Sequence, residues 1–368
     1  MKYVPVKRII VLFGPAISIC VDSSRLILKS GFPYAEPIKE EIISKGTNDI
    51  DHIVVSGSGY ISFDAVRWLM SQDIIVSLVD NYGNIITDWI PQYHISTFTK
   101  RKQATASNEF NLKIAGNLLA EKFQEQRRTL QVLFSNFKNL KSASNRIEAI
   151  KEATSVSKRC ESELPACLSV SDLLLLEAES ASFYWKCFEG ISLFWKKEKN
   201  VHDHWKVIQF RASPKSGSAR FAVDPFNACL NYLYAVLESR VRFACMTHRI
   251  DPDFGVLHAD HANRTSLVFD LMEPLRPHVD RILYEFTRTN AFVPGYFFET
   301  REGICIIMPE LTSKIIPLIK KLDLDVKRIV KDFSRFFKIR VKQVRPHEIS
   351  DASLKSFPIF KGVKRKPE

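Results

Sequence analysis

Two apolar stretches of this chain carry carboxylates that packing alone does not ask for. In residues 266–275, SLVFDLMEPL, the run is interrupted only by Asp270, Glu273 and Pro274, while Leu267, Val268, Leu271 and Leu275 recur at roughly helical spacing. Asp270 and Glu273 stand three apart and share a helix face. In residues 173–181, LLLLEAESA, Glu177 and Glu179 follow directly on four leucines. A carboxylate is costly to desolvate unless it is paired, hydrogen-bonded or bound to a cation. His258 precedes the first run, after a turn-forming stretch, Asp251-Pro252-Asp253-Phe254-Gly255. Taken singly, each of these residues reads as structural: a satisfied histidine, or an acid paired with a neighbour such as Arg276. Taken together, oxygen donors with one imidazole suit Mg²⁺ or Mn²⁺ better than structural zinc, which favours cysteines or several histidines.

The elements that must hold these residues divide the chain in two. The 368 residues and 45 % apolar content are enough for two cored domains. Up to residue 92 the pattern is short and β-rich, with strands expected at 9–13, 17–21, 25–29 and 53–55 and a hairpin of 74–79 and 84–89 about Asn81-Tyr82-Gly83. One short helix, 63–71, is capped by Ser62. A polar stretch with the basic cluster Lys100, Arg101 and Lys102 serves as a linker over 93–110. From 111 onward the period turns helical, at 112–136, 146–156, 169–185, 225–247, 265–273 and in basic C-terminal helices, with Asp224 capping a helix that starts at Pro225. The expected fold class is α+β: a small β-rich domain over 1–92, sandwich-like with one helix, then a larger all-α domain over 111–368.

Net charge is +12, and residues 311–368 hold 16 Lys or Arg against 6 Asp or Glu. The basic character is therefore mostly C-terminal, which fits a polyanion such as nucleic acid through phosphate contacts and counterion release. Backbone-contacting charges are expected among Arg211, Lys215 and Arg220 of a basic loop, Arg276, and Lys327, Arg328, Lys331, Arg335, Lys338, Arg340 and Lys342. Arg276 could equally pair with Glu273 or Asp270 and fix their geometry. Seven cysteines without C-x-x-C spacing read as reduced core residues of a cytoplasmic protein. No apolar run reaches the length of a membrane helix, and residues 9–20, broken by Gly14 and Pro15, read as a buried strand rather than a signal peptide.

In order along the chain, GYISFDAVRWLMSQDIIVSLVDNYGNI, AEKFQEQRRTL, LEAESASFYW, Arg211, DPFNACLNYLYAVLE, DPDFGVLHAD and SLVFDLMEPLRP resemble successive motifs of the CRISPR-associated spacer-acquisition integrase family, the first of the Cas proteins. The resemblance implies catalytic roles for Glu177, His258, Asp270 and Glu273, with Glu177, His258 and Glu273 as ligands of Mg²⁺ or Mn²⁺. One departure concerns the first glutamate: the family has glycine after it, whereas Ala178 and a second acid, Glu179, stand here. Counting back from Tyr184 selects Glu177 and leaves Glu179 as its rival. The resemblance also implies a dimerising N-terminal domain, a homodimer, a small "Cas-two" partner dimer, and DNA as substrate, both captured protospacer and CRISPR repeat. The chemistry is phosphoryl transfer: a DNA 3′-hydroxyl as nucleophile gives strand transfer, and water gives endonuclease cleavage. The alternative is a scaffold of the same fold that binds nucleic acid without catalysis. Gly57-Ser58-Gly59 resembles a dinucleotide loop but reads as a tight turn, and His202-Asp203-His204 lacks further ligands nearby in sequence.

Overall fold

Alternating burial makes strands of the N-terminal third, and two of the expected strands run on as one. The structure, a computed structural model, describes residues 7–32, 38–46, 49–211, 221–258 and 265–337. Residues 9–13 and 17–21 join into β1 (Arg8–Asp22) through Gly14 and Pro15, with a bulge between Gly14 and Ile17. Then come β2 (Arg25–Ser30), β3 (Lys39–Ile43), β4 (Ile50–Ile61), α1 (Phe63–Ser71), β5 (Ile75–Val79) and β6 (Ile85–Trp89). The sandwich-like arrangement takes the form of one hydrogen-bonded sheet in the order β3-β2-β1-β4-β5-β6, parallel at β1/β4 and β4/β5 and antiparallel elsewhere. Gly57-Ser58-Gly59 is no turn: it lies inside β4. A Cβ on Gly57 would meet the Gly14 carbonyl oxygen at 2.2 Å, and one on Gly59 would meet that of Ile17 at 1.9 Å. The glycines are there for close strand approach, not for a phosphate.

Ser62 caps α1 by accepting from the Ala65 amide, and α1 buries Ala65, Trp68 and Leu69 in a core shared with Leu26, Leu28, Ile53 and Val76. The hairpin turn is tied by the Asp80 carboxylate, which accepts from the backbone amides of Tyr82 and Asn84.

Residues 93–110, expected as a linker, are themselves structured: they hold α2 (Thr97–Ala104) and the start of α3 (Asn108–Phe137). α2 is polar and short, so no apolar period announces it. The helical part continues with α4 (Ser144–Glu163), α5 (Val170–Lys186), α6 (Pro225–Thr247), α7 (Ser266–Met272), α8 (Arg276–Thr289), α9 (Pro309–Ile315) and α10 (Asp323–Ser334). It is not purely α, because β7 (Phe297–Glu299) and β8 (Cys305–Ile307) form a two-stranded ribbon. Asp224 accepts from the Phe226 and Asn227 amides and Pro225 takes the first helical position of α6, as expected. α6 is apolar nearly all round because it is the central helix, with α7, α8, α10 and the sheet packed about it.

Sheet and helices are joined by buried polar ties. Ser77 of β5 donates to Ser239 of α6 at 3.0 Å, Ser239 donates to Asp88 of β6 at 2.9 Å, and Arg242 donates to Asp88 at 2.7 Å. Asp51 of β4 accepts from Arg240 at 3.2 Å and from Lys320 at 2.8 Å. Burial would push the Asp51 carboxyl up, but the charges of Arg240 and Lys320 outweigh it and hold it at about 2. All seven cysteines are free thiols, five of them buried. Among the described residues no helix is long and apolar enough to cross a membrane.

Candidate active site

The buried face of α3 runs through Leu118, Leu119, Lys122, Phe123, Gln126, Thr129, Leu130 and Leu133. Two polar residues on that face lock α3 to its neighbours. Ser180 of α5 donates to the Gln126 amide oxygen at 2.8 Å, and Thr129 donates to the Pro277 carbonyl at the start of α8, also at 2.8 Å. One turn before Gln126, and three residues before Ser180, the same two helices bring Lys122 against Glu177. The Lys122 ammonium donates to Glu177 Oε1 and, at 2.5 Å, to Glu273 Oε2 at the end of α7. Lys122 is 6 % exposed and Glu273 is 3 % exposed. Burial alone would push the Glu273 carboxyl up, yet the charges of Arg276 and Lys122 hold it at about 2. Burial likewise opposes the Lys122 charge, and Glu273 and Glu177 together raise its pKa above the usual lysine value.

Asp270 does a different job from Glu273. Fully buried on α7, it accepts from the amides of Val256 (2.6 Å) and Leu257 (2.9 Å) on Oδ2, and from the amide (3.1 Å) and Nδ1 (2.6 Å) of His258 on Oδ1. With Nδ1 donating to Asp270, the lone pair of the His258 ring lies on Nε2, the arrangement that orients a ligating or proton-accepting imidazole. The loop carrying His258 is pinned at its far end by α2. Gln103 donates to the Asp251 carbonyl and accepts from the Asp251 amide, both at 3.0 Å, and Lys100 pairs with the Asp251 carboxylate at 3.0 Å. Gly255 is required where the loop closes on α7, since a Cβ there would stand 2.6 Å from the His258 carbonyl oxygen and 2.8 Å from Ser266 Cβ.

Glu177, His258, Asp270 and Glu273, drawn from α5, one loop and α7, therefore converge on one region, and Glu179 does not join them. Its carboxylate points outward to Arg159. Arg276 lies against Glu273, Nε to Oε1 3.4 Å, with its guanidinium over the Tyr234 ring at 5.5 Å. That ring also receives Arg211 at 5.4 Å, and Arg211 donates to Asn231 at 3.0 Å. Arg211 is thus held between α5 and α6. Tyr184 and Tyr234 both donate to Asp280 of α8. Burial pushes the Asp280 carboxyl up to about 6, against the pull of these donors.

Lys122 and Asp280 were missed by sequence reasoning. A lysine at helical spacing from Leu118 and Leu119 was the available signal for the first; α8, which carries the second, was not among the expected helices. Lys327, Arg328, Lys331 and Arg335 are exposed on α10 and, with Thr247 and His248, line a groove of about 480 Å³. Lys215, Arg220, Lys338, Arg340 and Lys342 lie outside the described residues. His204, near which no further ligand was expected, meets Glu299 of the ribbon at 2.7 Å, and His202 approaches the same carboxylate at 3.7 Å.

Among the described residues no three His, Cys, Asp or Glu side chains are already spaced around one ion. In this region the position between the two glutamates is taken by the Lys122 ammonium. The donor set nevertheless fits Mg²⁺ or Mn²⁺, because two carboxylates from separate helices already share a cation and an oriented imidazole adjoins them.

The profile of the family described as "CRISPR associated protein Cas1" matches residues 11–321. A "CRISPR-associated endonuclease Cas1 1" of Pyrobaculum aerophilum is 31 % identical over 271 residues, 72 % of this chain and 80 % of that protein. In fold, the chain is similar to a structure described as "Casposase bound to integration product", with a TM-score of 0.74 and 22 % identity over 95 % of this chain and 97 % of that one. It is also similar to part of a "Cas6-RT-Cas1--Cas2 complex", with a TM-score of 0.66 and 17 % identity over 92 % of this chain and 35 % of that one. With the motif order, the sheet-then-helices architecture and a family match across most of its length, the chain belongs to the Cas1 family of CRISPR-associated proteins.

Proposed function

We propose that this chain is a divalent-metal-dependent DNA integrase and endonuclease of CRISPR adaptation, joining the 3′-hydroxyl ends of captured DNA into the CRISPR repeat. The observation that carries the proposal is the pair of the half-buried Glu177 and the buried Glu273 sharing one cation beside an imidazole oriented by Asp270. Glu177, Glu273 and His258 Nε2 would hold Mg²⁺ or Mn²⁺, which supplies charge neutralisation at a scissile phosphate and activation of the attacking oxygen.

The chain's own residues do the rest. The Arg276 charge keeps Glu273 ionised, so it remains an anionic donor at neutral pH. Asp270 holds the His258 ring so that its Nε2 lone pair, and not Nδ1, faces the chemistry. The basic groove of α10 supplies sequence-independent phosphate contacts, positioning DNA without reading bases. A 3′-hydroxyl and a water differ only in what they leave joined, so one site serves strand transfer and cleavage. The Cas1–Cas2 fold neighbour supports work with a Cas2 partner, and the protein would do so as a homodimer.

The test is a strand-joining assay with labelled short duplex DNA, a supercoiled repeat-bearing target, the purified partner, and Mn²⁺ present or chelated. Metal-dependent joining lost in Glu177→Ala and His258→Ala, with DNA binding retained, is the expected result. Tight DNA binding without joining or cleavage under any divalent ion identifies instead a non-catalytic scaffold of the same fold.

A further inference from the structure

An ammonium on the buried stripe of a helix is unfavourable unless carboxylates surround it. Lys122 meets that condition with two glutamates that come from different helices, Glu177 of α5 and Glu273 at the end of α7. A small divalent ion bound by carboxylates sits about 2.0–2.2 Å from their oxygens. An ammonium nitrogen in contact with Glu177 Oε1 and 2.5 Å from Glu273 Oε2 stands where such an ion would have to stand, so the two cations exclude one another.

We propose that Lys122 is the resident counter-cation of the Glu177–Glu273 pair: it keeps the two carboxylates assembled when no divalent ion is bound, and an ion enters by displacing it. The inference rests on the reading of Glu177 and Glu273 as metal ligands. The local charges favour exchange over addition. Lys122 and Arg276 already balance the two carboxylates, and a divalent ion added on top would leave a buried excess of positive charge. The backbone is braced for such an exchange. The Gln126–Ser180 and Thr129–Pro277 hydrogen bonds fix α3 against α5 and α8 just beyond Lys122, so the side chain yields while its attachment point stays. Lysine suits the role because its charge sits at the tip of a flexible four-carbon stem.

The test is a Mn²⁺ titration of the full chain, with free Mn²⁺ followed by electron paramagnetic resonance and thermal unfolding measured in parallel. Lys122→Met removes the competing charge at nearly constant volume. It is expected to bind one Mn²⁺ at least about tenfold more tightly than the parent, and to gain more in Tm on saturation. Lys122→Gln, which still donates to one carboxylate, is expected to bind more tightly by a smaller factor and carries the test where the Met variant does not fold. Unchanged or weaker Mn²⁺ affinity in these variants overturns the proposal. Glu177→Gln and Glu273→Gln separate the two levels of inference. If they bind Mn²⁺ as the parent does, the metal-site reading fails and the proposal with it. If they lose the ion while the Lys122 variants bind no more tightly than the parent, only the role of Lys122 fails.

Discussion

Asp270→Asn changes one oxygen of the chain into a nitrogen, and the structure fixes what that does. The carboxylate accepts four hydrogen bonds, two on each oxygen: Val256 and Leu257 amides on Oδ2, the His258 amide and ring Nδ1 on Oδ1. An asparagine presents one carbonyl oxygen and one NH₂ group, so in either orientation two donors face a donor. A hydrogen bond to a charged group contributes about 1.5–3 kcal/mol, and the site is fully buried, so the loss of two amounts to about 3–6 kcal/mol of stability. One orientation releases the imidazole and the other releases the loop that carries it. Metal affinity or joining activity is therefore expected to fall by about 10–100-fold, the usual effect of removing a partner behind a ligand. Urea unfolding followed by the fluorescence of the five tryptophans measures the first quantity, and the strand-joining assay measures the second. A variant destabilised by less than about 1 kcal/mol that joins DNA at the parental rate would refute the role assigned to Asp270.

Glu179→Ala, by contrast, removes only an exposed pair with Arg159 and is expected to cost at most about 1 kcal/mol and to leave joining unchanged; a loss as large as that of Glu177→Ala would exchange the two glutamates' roles. The Asp51 tie between sheet and helices sets an acid limit. Its folded value of about 2 lies below the ordinary 3.8, so its stabilisation is present in full above about pH 4 and is lost as pH falls towards 2. The amount is about 2–3 kcal/mol, and Asp51→Asn is expected to flatten that part of a stability–pH profile measured by urea titration.

What was legible in the sequence was local. Helices α1 and α6 begin where Ser62, Asp224 and Pro225 announce them, because a cap acts on the three residues that follow it. The hairpin at 81–83 was readable for the same reason, with Asp80 reaching only to Tyr82 and Asn84. β3 was not readable: Lys39, Glu40 and Glu41 make a charged edge strand whose pairing with β2 supplies the order its composition withholds. α8 was not expected at all, although Pro277 in its first turn is a signal for a helix start. At the site, the four residues named from the sequence lie together, yet the cation between two of them was not foreseen. Lys122 pairs with residues 55 and 151 positions away, and no local pattern states such a distance.

α2 has a consequence for anyone recombining this chain with a relative. A connector between two folded halves ordinarily tolerates insertion, cleavage and exchange. Here Lys100 and Gln103 hold both the backbone and the side chain of Asp251, at the root of the loop that ends in His258. A chimaera that takes its sheet from elsewhere must therefore be spliced before Thr97, so that α2 travels with the helices. A graft placed after Ala104 would import a foreign α2 and leave the loop that carries His258 without its anchor.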